Sequence, residues 1–151
     1  TTFTRAAEES LIDVGSSLHI GARGPTNDST VFNHTREVGY GLINGSELFK
    51  TGLNNTAKRV VETLKGRSVY LCFDMDFFDP SCAPGVCTPT WGGATSREGL
   101  EFLQNLAGLN LVGADINTVS PPHDISGMTA FLAETVGLEI LSLFCHSKNL
   151  I

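Results

Sequence analysis

The chain has 151 residues, 16 acidic against 10 basic, with a formal net charge of −6 and 41% hydrophobic residues. A chain of this size and apolar content builds one domain with a full core, so folding requires neither disulfides nor a structural metal. The acidic balance argues against a nucleic-acid partner or an anionic membrane, because phosphate binding needs concentrated Lys and Arg.

The nearest approach to a basic run is Lys50, Lys58, Arg59, Lys65 and Arg67; Glu62 interrupts it, and it reads as a solvated helix face. Four cysteines, Cys72, Cys82, Cys87 and Cys145, show no CxxC pairing. Cys82 and Cys87 sit in a Pro/Gly loop at poor zinc spacing, while Cys72 and Cys145 lie in apolar segments and read as buried thiols. This usage suits a reducing, cytoplasmic compartment. Asn-x-Ser/Thr triplets at Asn27, Asn33, Asn44 and Asn54 carry little weight without a signal peptide. The chain opens Thr1-Thr2-Phe3-Thr4, with no initiator Met.

Short apolar runs alternate with helix-like segments, the pattern of an α/β fold with a parallel sheet. Residues 4–13 predict a helix that stops at Gly15, and residues 17–21 a short strand entering the turn Arg23-Gly24-Pro25. A helix is expected over 28–38, ended by Gly39, then a strand over 40–43 and a helical turn over 45–49. Residues 55–65 form a better helix, closed by Gly66. Val69-Tyr70-Leu71-Cys72-Phe73 is a continuous apolar run, as expected of a central parallel strand covered on both faces. It ends in Asp74-Met75-Asp76 and is followed by a Pro/Gly loop over 79–93. Thr95 with Glu98 makes a capping box for a helix reaching about Leu106. A second buried strand covers 109–116, and Pro121-Pro122 marks the loop beyond it. Residues 128–146 predict a last, buried helix, whose Glu134 and Glu139 suit a bilayer span poorly.

Asp74 and Asp76 are the sharpest chemical feature. Side chains two apart on an extended strand share a face, so both carboxylates would project beyond the strand's carboxyl end, where open α/β sheets bind ligands. Two like charges so close repel unless a proton or a cation intervenes, and an oxygen-rich site suits Mn²⁺ or Mg²⁺. Solvated loop aspartates are the plainer reading of such a pair; its place directly after five apolar residues favours metal. Asp115 interrupts the second buried strand and needs a partner, either a loop backbone or a metal-bound His that it would orient. His19 reads as a packed strand residue, and His34 and His146 as structural or surface groups. His123 stands in the Pro121-Pro122 loop, where it could line a pocket, although a structural or surface role is the plainer reading. An aspartate-based phosphatase is disfavoured, because Phe77-Phe78 occupies the place of the Gly-Thr such a motif wants.

The residues Phe73-Asp74-Met75-Asp76-Phe77-Phe78-Asp79-Pro80, then Ala83-Pro84-Gly85, Thr88-Pro89 and Gly92-Gly93, closely resemble the signature of the ureohydrolases, the arginase/agmatinase family. The likeness continues through Arg97-Glu98-Gly99, Gly113-Ala114-Asp115, Val119-Ser120-Pro121-Pro122, Asp124 and Gly127-Met128-Thr129-Ala130. Thr2-Phe3 and His19-Ile20-Gly21-Ala22-Arg23-Gly24 resemble the agmatinase branch. The resemblance implies a three-layer α/β/α fold with a mainly parallel sheet. It also implies a binuclear Mn²⁺ site (Ni²⁺ being an alternative ion), a small guanidino substrate, and a homo-oligomer, trimeric or hexameric. It implies hydrolysis of a guanidino C–N bond to urea and an amine, with Asp74 bridging two ions and Asp76 binding one. Paired cations lower the pKa of a water enough to supply hydroxide near neutral pH.

Two departures from the family pattern matter. The family's Gly-Gly-Asp-His and Asp-x-His-x-Asp stretches, both N-terminal to the matching region, do not occur here. Residues 1–151 are therefore expected to be the C-terminal part of one ureohydrolase catalytic domain, inactive alone and with an exposed sheet edge. The alternative is a non-catalytic paralogue or fragment with a binding or assembly role. The second departure is Thr118, where the resemblance implies a Glu that grips the substrate's guanidinium.

Overall fold

Residues 2–25, 30–148 and 150 are described in a computed structural model of the chain, which divides into two compact units, Thr1–Lys50 and Thr51–Ile151. In the first unit, α1 (Thr2–Glu8) is shorter than the sequence predicts. Ser10 turns left-handed at φ 54°, and Ser10 N–H and Leu11 N–H bond back to the carbonyls of Ala7 and Ala6. That is a Schellman stop made without glycine. A 3-10 turn at Val14–Ser16 leads into β1 (Leu18–Ala22). The helix expected from residue 28 is α2 (Val31–Val38); Asp28 lies outside the described residues. Gly39, at φ 108°, ends α2 with the same pair of backward bonds, here to Arg36 and Thr35. β2 (Gly41–Asn44) pairs parallel with β1, and α3 (Gly45–Thr51) follows. The His19 ring lies edge-on to Tyr40 and Phe3, at centroid distances of 4.7 and 6.3 Å. Burial lowers its pKa, so His19 is a packed neutral residue, as expected.

The second unit carries α4 (Leu53–Thr63), β3 (Ser68–Asp74), a 3-10 turn at Met75–Phe77, α5 (Ser96–Gln104), β4 (Asn110–Asn117) and α6 (Met128–Ser147). β3 and β4 pair parallel along their length, with α5 lying between them in sequence. Val69 opposes Leu111 but Tyr70 opposes Gly113, so Val112 is an extra, bulged residue. Gly113 is required there, since a Cβ would stand 2.8 Å from the Tyr70 ring. Phe73, Phe77, Phe78 and Phe102 form a ring cluster at centroid distances of 5.6 to 6.0 Å. The capping box is formed as predicted: Thr95 Oγ1 accepts from Glu98 N–H, and Glu98 returns a carboxylate to Thr95 N–H.

The α/β reading holds, with parallel pairing in both units. Four burial expectations do not. β4, read from sequence as a second buried strand, buries only Leu111 and leaves Val112 exposed. β3 is not covered on both faces: of its residues only Phe73 is buried, and Tyr70 is 54% exposed. Each sheet has two strands among the described residues, so every strand is an edge. α6 has the length and apolarity of a membrane span but buries only Thr129, Val136, Ile140 and Leu143, leaving Phe131, Leu138 and Leu141 exposed. It packs against β4 and α5, and nothing among the described residues covers Phe131, Leu138 and Leu141. Cys72 and Cys145 are half-buried rather than buried, for the same reason.

Candidate active site

Asp74 is the last residue of β3, and Asp76 lies in the 3-10 turn that follows. The two-residue strand period therefore does not carry both carboxylates, as the sequence suggested; the turn does. Met75, fully buried between them, anchors that turn in the core. Partial burial first, then the charges of Asp76 and Asp115, push the Asp74 carboxyl above its ordinary value. Desolvation and neighbouring negative charge both disfavour the ionised form of a carboxyl.

Asp76 is held from two sides. Thr88 Oγ1 donates to Asp76 Oδ2 at 2.5 Å, and Asp76 N–H donates to Thr118 Oγ1 at 3.2 Å. Thr118 has φ 69°, a left-handed conformation that is a real outlier for a β-branched residue and costs on the order of 1–3 kcal/mol. The segments around Thr88 and Thr118 are laced together. Cys87 N–H donates to Thr118 O at 2.9 Å, and Ser120 N–H to Gly85 O at 2.8 Å. Thr129 Oγ1, buried, accepts from Gly85 N–H at 2.8 Å. Gly85 has no room for a side chain, as its Cβ would meet the Asp124 Cα at 2.5 Å.

Asp115 finds one partner across the sheet and one on its own strand. Tyr70 Oη donates to Asp115 Oδ2 at 2.6 Å, and Asn117 Nδ2 donates to the other oxygen and reaches Cys72 Sγ at 3.5 Å. Both carboxylate oxygens thus have donors within the chain, leaving second lone pairs for a further one. Burial, reinforced by Asp115, pushes the Cys72 thiol up to about 11, so it is no nucleophile near neutrality. His123 lies in the 3-10 turn Pro121–His123, exposed, with Nδ1 2.8 Å from Ser120 Oγ. Asp124, one of the residues that carry the family resemblance, accepts Thr129 N–H and Ala130 N–H at 3.0 Å each. It caps the first turn of α6, and those bonds, against some burial, hold its pKa below the ordinary range. Among the described residues no three His, Cys, Asp or Glu side chains converge as a metal site.

Sequence reasoning missed Thr88, Tyr70 and Asn117 as supports. The Thr88-Pro89 step is visible in the sequence, but the cross-strand register that joins Tyr70 to Asp115 depends on the bulge at Val112. Asp79 is a further anchor, accepting Ser81 N–H at 3.0 Å and Gly92 N–H at 2.9 Å. Hydrogen bonds from Ser81 first, then from Gly92 and Gly93, lower its pKa to about 2. A depressed carboxyl stabilises the fold above its unfolded pKa, and that contribution fades as pH falls through the folded value. Asp79→Asn is therefore expected to flatten the loss of stability between about pH 4 and pH 2. Thermal melts of both proteins across that range check this, and parallel curves would refute it.

The sequence profile described as "Arginase family" matches residues 1–142. The chain belongs to the arginase family. Guanidinobutyrase of Pseudomonas aeruginosa is 38% identical over 141 residues, covering 93% of this chain and 44% of that one. Guanidinopropionase of the same organism is 37% identical over 147 residues, covering 97% and 46%. The crystal structure of a hypothetical agmatinase from Burkholderia thailandensis superposes with a TM-score of 0.86 at 34% identity, covering 99% of this chain and 45% of that one. The arginase-like fold expected from sequence is thereby shown, and this member spans less than half the length of these relatives.

Proposed function

We propose that residues 1–151 are the C-terminal part of a ureohydrolase catalytic domain that hydrolyses the C–N bond of a small guanidino compound. The observation that carries this is the Asp74–Asp76 pair, two acids at a strand end with Asp74 raised and Asp76 held between two threonines. Their oxygens fit hard divalent ions such as Mn²⁺, with Ni²⁺ as the alternative. Asp74 would bridge two ions and Asp76 bind one, the other ligands coming from polypeptide outside residues 1–151. When bound, such ions make hydroxide available near neutral pH.

The chain's own residues do the positioning. Thr88 and Thr118 fix the rotamer and the backbone of Asp76. Tyr70 and Asn117 hold Asp115, whose remaining lone pairs suit the N–H of a ligating histidine. Thr118 carries a neutral hydroxyl, already accepting from Asp76 N–H, at the position where the family resemblance implies a carboxylate that would grip a guanidinium by charge. Hydrogen bonds to charged groups contribute about 1.5–3 kcal/mol, so recognition of a long cationic substrate weakens and compact substrates compete. Of His123 and Asp124 in the loop beyond Thr118, only Asp124 is taken up by a helix cap. The whole enzyme would be a homo-oligomer, trimeric or hexameric, working in the cytoplasm.

Urea release by the complete protein against agmatine, 4-guanidinobutyrate, 3-guanidinopropionate and guanidine tests the reading. Turnover of at least one is expected, with the ranking moving toward agmatine in Thr118→Glu. Failure on the whole panel with metal bound would favour a non-catalytic paralogue, and an unchanged ranking would remove Thr118 from recognition.

A further inference from the structure

Thr118 is the one β-branched residue with a positive φ among the described residues, at 69°. A strained backbone persists only where its surroundings over-determine it, and here those surroundings are on the page. The carbonyl of Thr118 is taken by Cys87 N–H, and the neighbouring bridge Val86–Val119 and the Ser120–Gly85 bond fix the chain on either side. The left-handed twist delivers the Thr118 hydroxyl to Asp76 N–H, while the same laced loop brings Thr88 Oγ1 to Asp76 Oδ2. One carboxylate is thus gripped at its main chain and at its side chain by two threonines that are themselves tied together.

We infer that Thr118 is a positioning residue: its hydroxyl, presented by a left-handed backbone, locks the turn that sets the direction of the Asp76 carboxylate. This rests on the reading of Asp76 as a metal ligand. Glycine at this position would remove the strain and lose the acceptor; valine would keep the strain and lose the acceptor; serine would keep the acceptor.

The experiment is Mn²⁺ affinity of the complete protein, measured by chelator competition, together with hydrogen exchange of the Asp76 amide and melting of the metal-free form. Thr118→Val and Thr118→Gly are expected to weaken Mn²⁺ binding by about tenfold or more, the range found for groups that orient metal ligands. Both should expose the Asp76 amide to faster exchange. Thr118→Ser should keep the affinity and the protection. Thr118→Gly is expected to melt no lower than the wild type, so its loss of affinity cannot be ascribed to unfolding. Affinities within threefold of wild type in both Val and Gly variants would overturn the inference while leaving the metal reading intact. A wild-type protein that takes up no Mn²⁺ would overturn the metal reading, and this inference with it.

Discussion

Replacing Asp74 with Asn is expected to change the complete protein in opposite directions with and without metal. With ions supplied, turnover should fall by roughly a hundredfold or more, since even residues that only orient metal ligands cost 10–100-fold. Without ions, the same variant should be more stable than wild type near neutral pH. The Asp74 carboxyl is raised by burial and by the charges of Asp76 and Asp115, so its ionisation opposes folding. A raised carboxyl leaves stability intact below its unfolded pKa and costs stability as pH rises through the folded value. Asn carries no charge to pay that cost. Metal-free melts from pH 4 to pH 8, beside turnover of the loaded protein, measure both effects. A variant that is less stable in both states would make Asp74 a structural residue.

The second large effect lies behind the site. Phe78 is fully buried, and Gly99 of α5 faces it so closely that a Cβ would stand 2.1 Å from the Phe78 ring. Gly to Ala in an exposed helix would gain about 1 kcal/mol of helix propensity. Here the overlap decides the sign, because a packed ring cannot withdraw, and overpacking costs about 1–3 kcal/mol or more. Phe78→Ala empties the same place and should cost about 3–5 kcal/mol. For a chain of this size that lowers the melting temperature by roughly 10 °C. Gly99→Ala is expected to destabilise alone and to be partly rescued in the double variant Gly99→Ala/Phe78→Leu, where a smaller side chain admits the methyl. A stabilised Gly99→Ala would show that helix propensity, not packing, governs this contact.

The strands, the helix order and the acidic pair were legible because each rests on local pattern. Val69 to Phe73 is apolar without interruption, Thr95 and Glu98 stand at capping-box spacing, and Gly39 ends a helix as glycines do. Asp74 and Asp76 were found for a partly mistaken reason: the strand period was extended one residue pair too far, into a 3-10 turn that only the burial of Met75 explains. Asp124 could have been read as a helix cap, since it stands just before the first turn of an apolar helix. The Tyr70–Asp115 bond could not, because a single bulged residue, Val112, sets which side chains meet across the strands. The left-handed Thr118 was equally hidden; its conformation is imposed by the loop laced to it and runs against the preference of its own side chain. The burial of α6 was overestimated because apolar composition says that a face wants cover, and not whether residues 1–151 supply it.

The most direct test of the acidic pair is metal content. The complete protein, loaded with Mn²⁺ or Ni²⁺ and freed of loose ions by gel filtration, should retain bound metal by elemental analysis. The Asp74→Asn/Asp76→Asn double variant, folded by circular dichroism, should emerge with almost none. Equal retention by the two proteins would contradict the account, for the ions would then be held without the two residues on which the site is built.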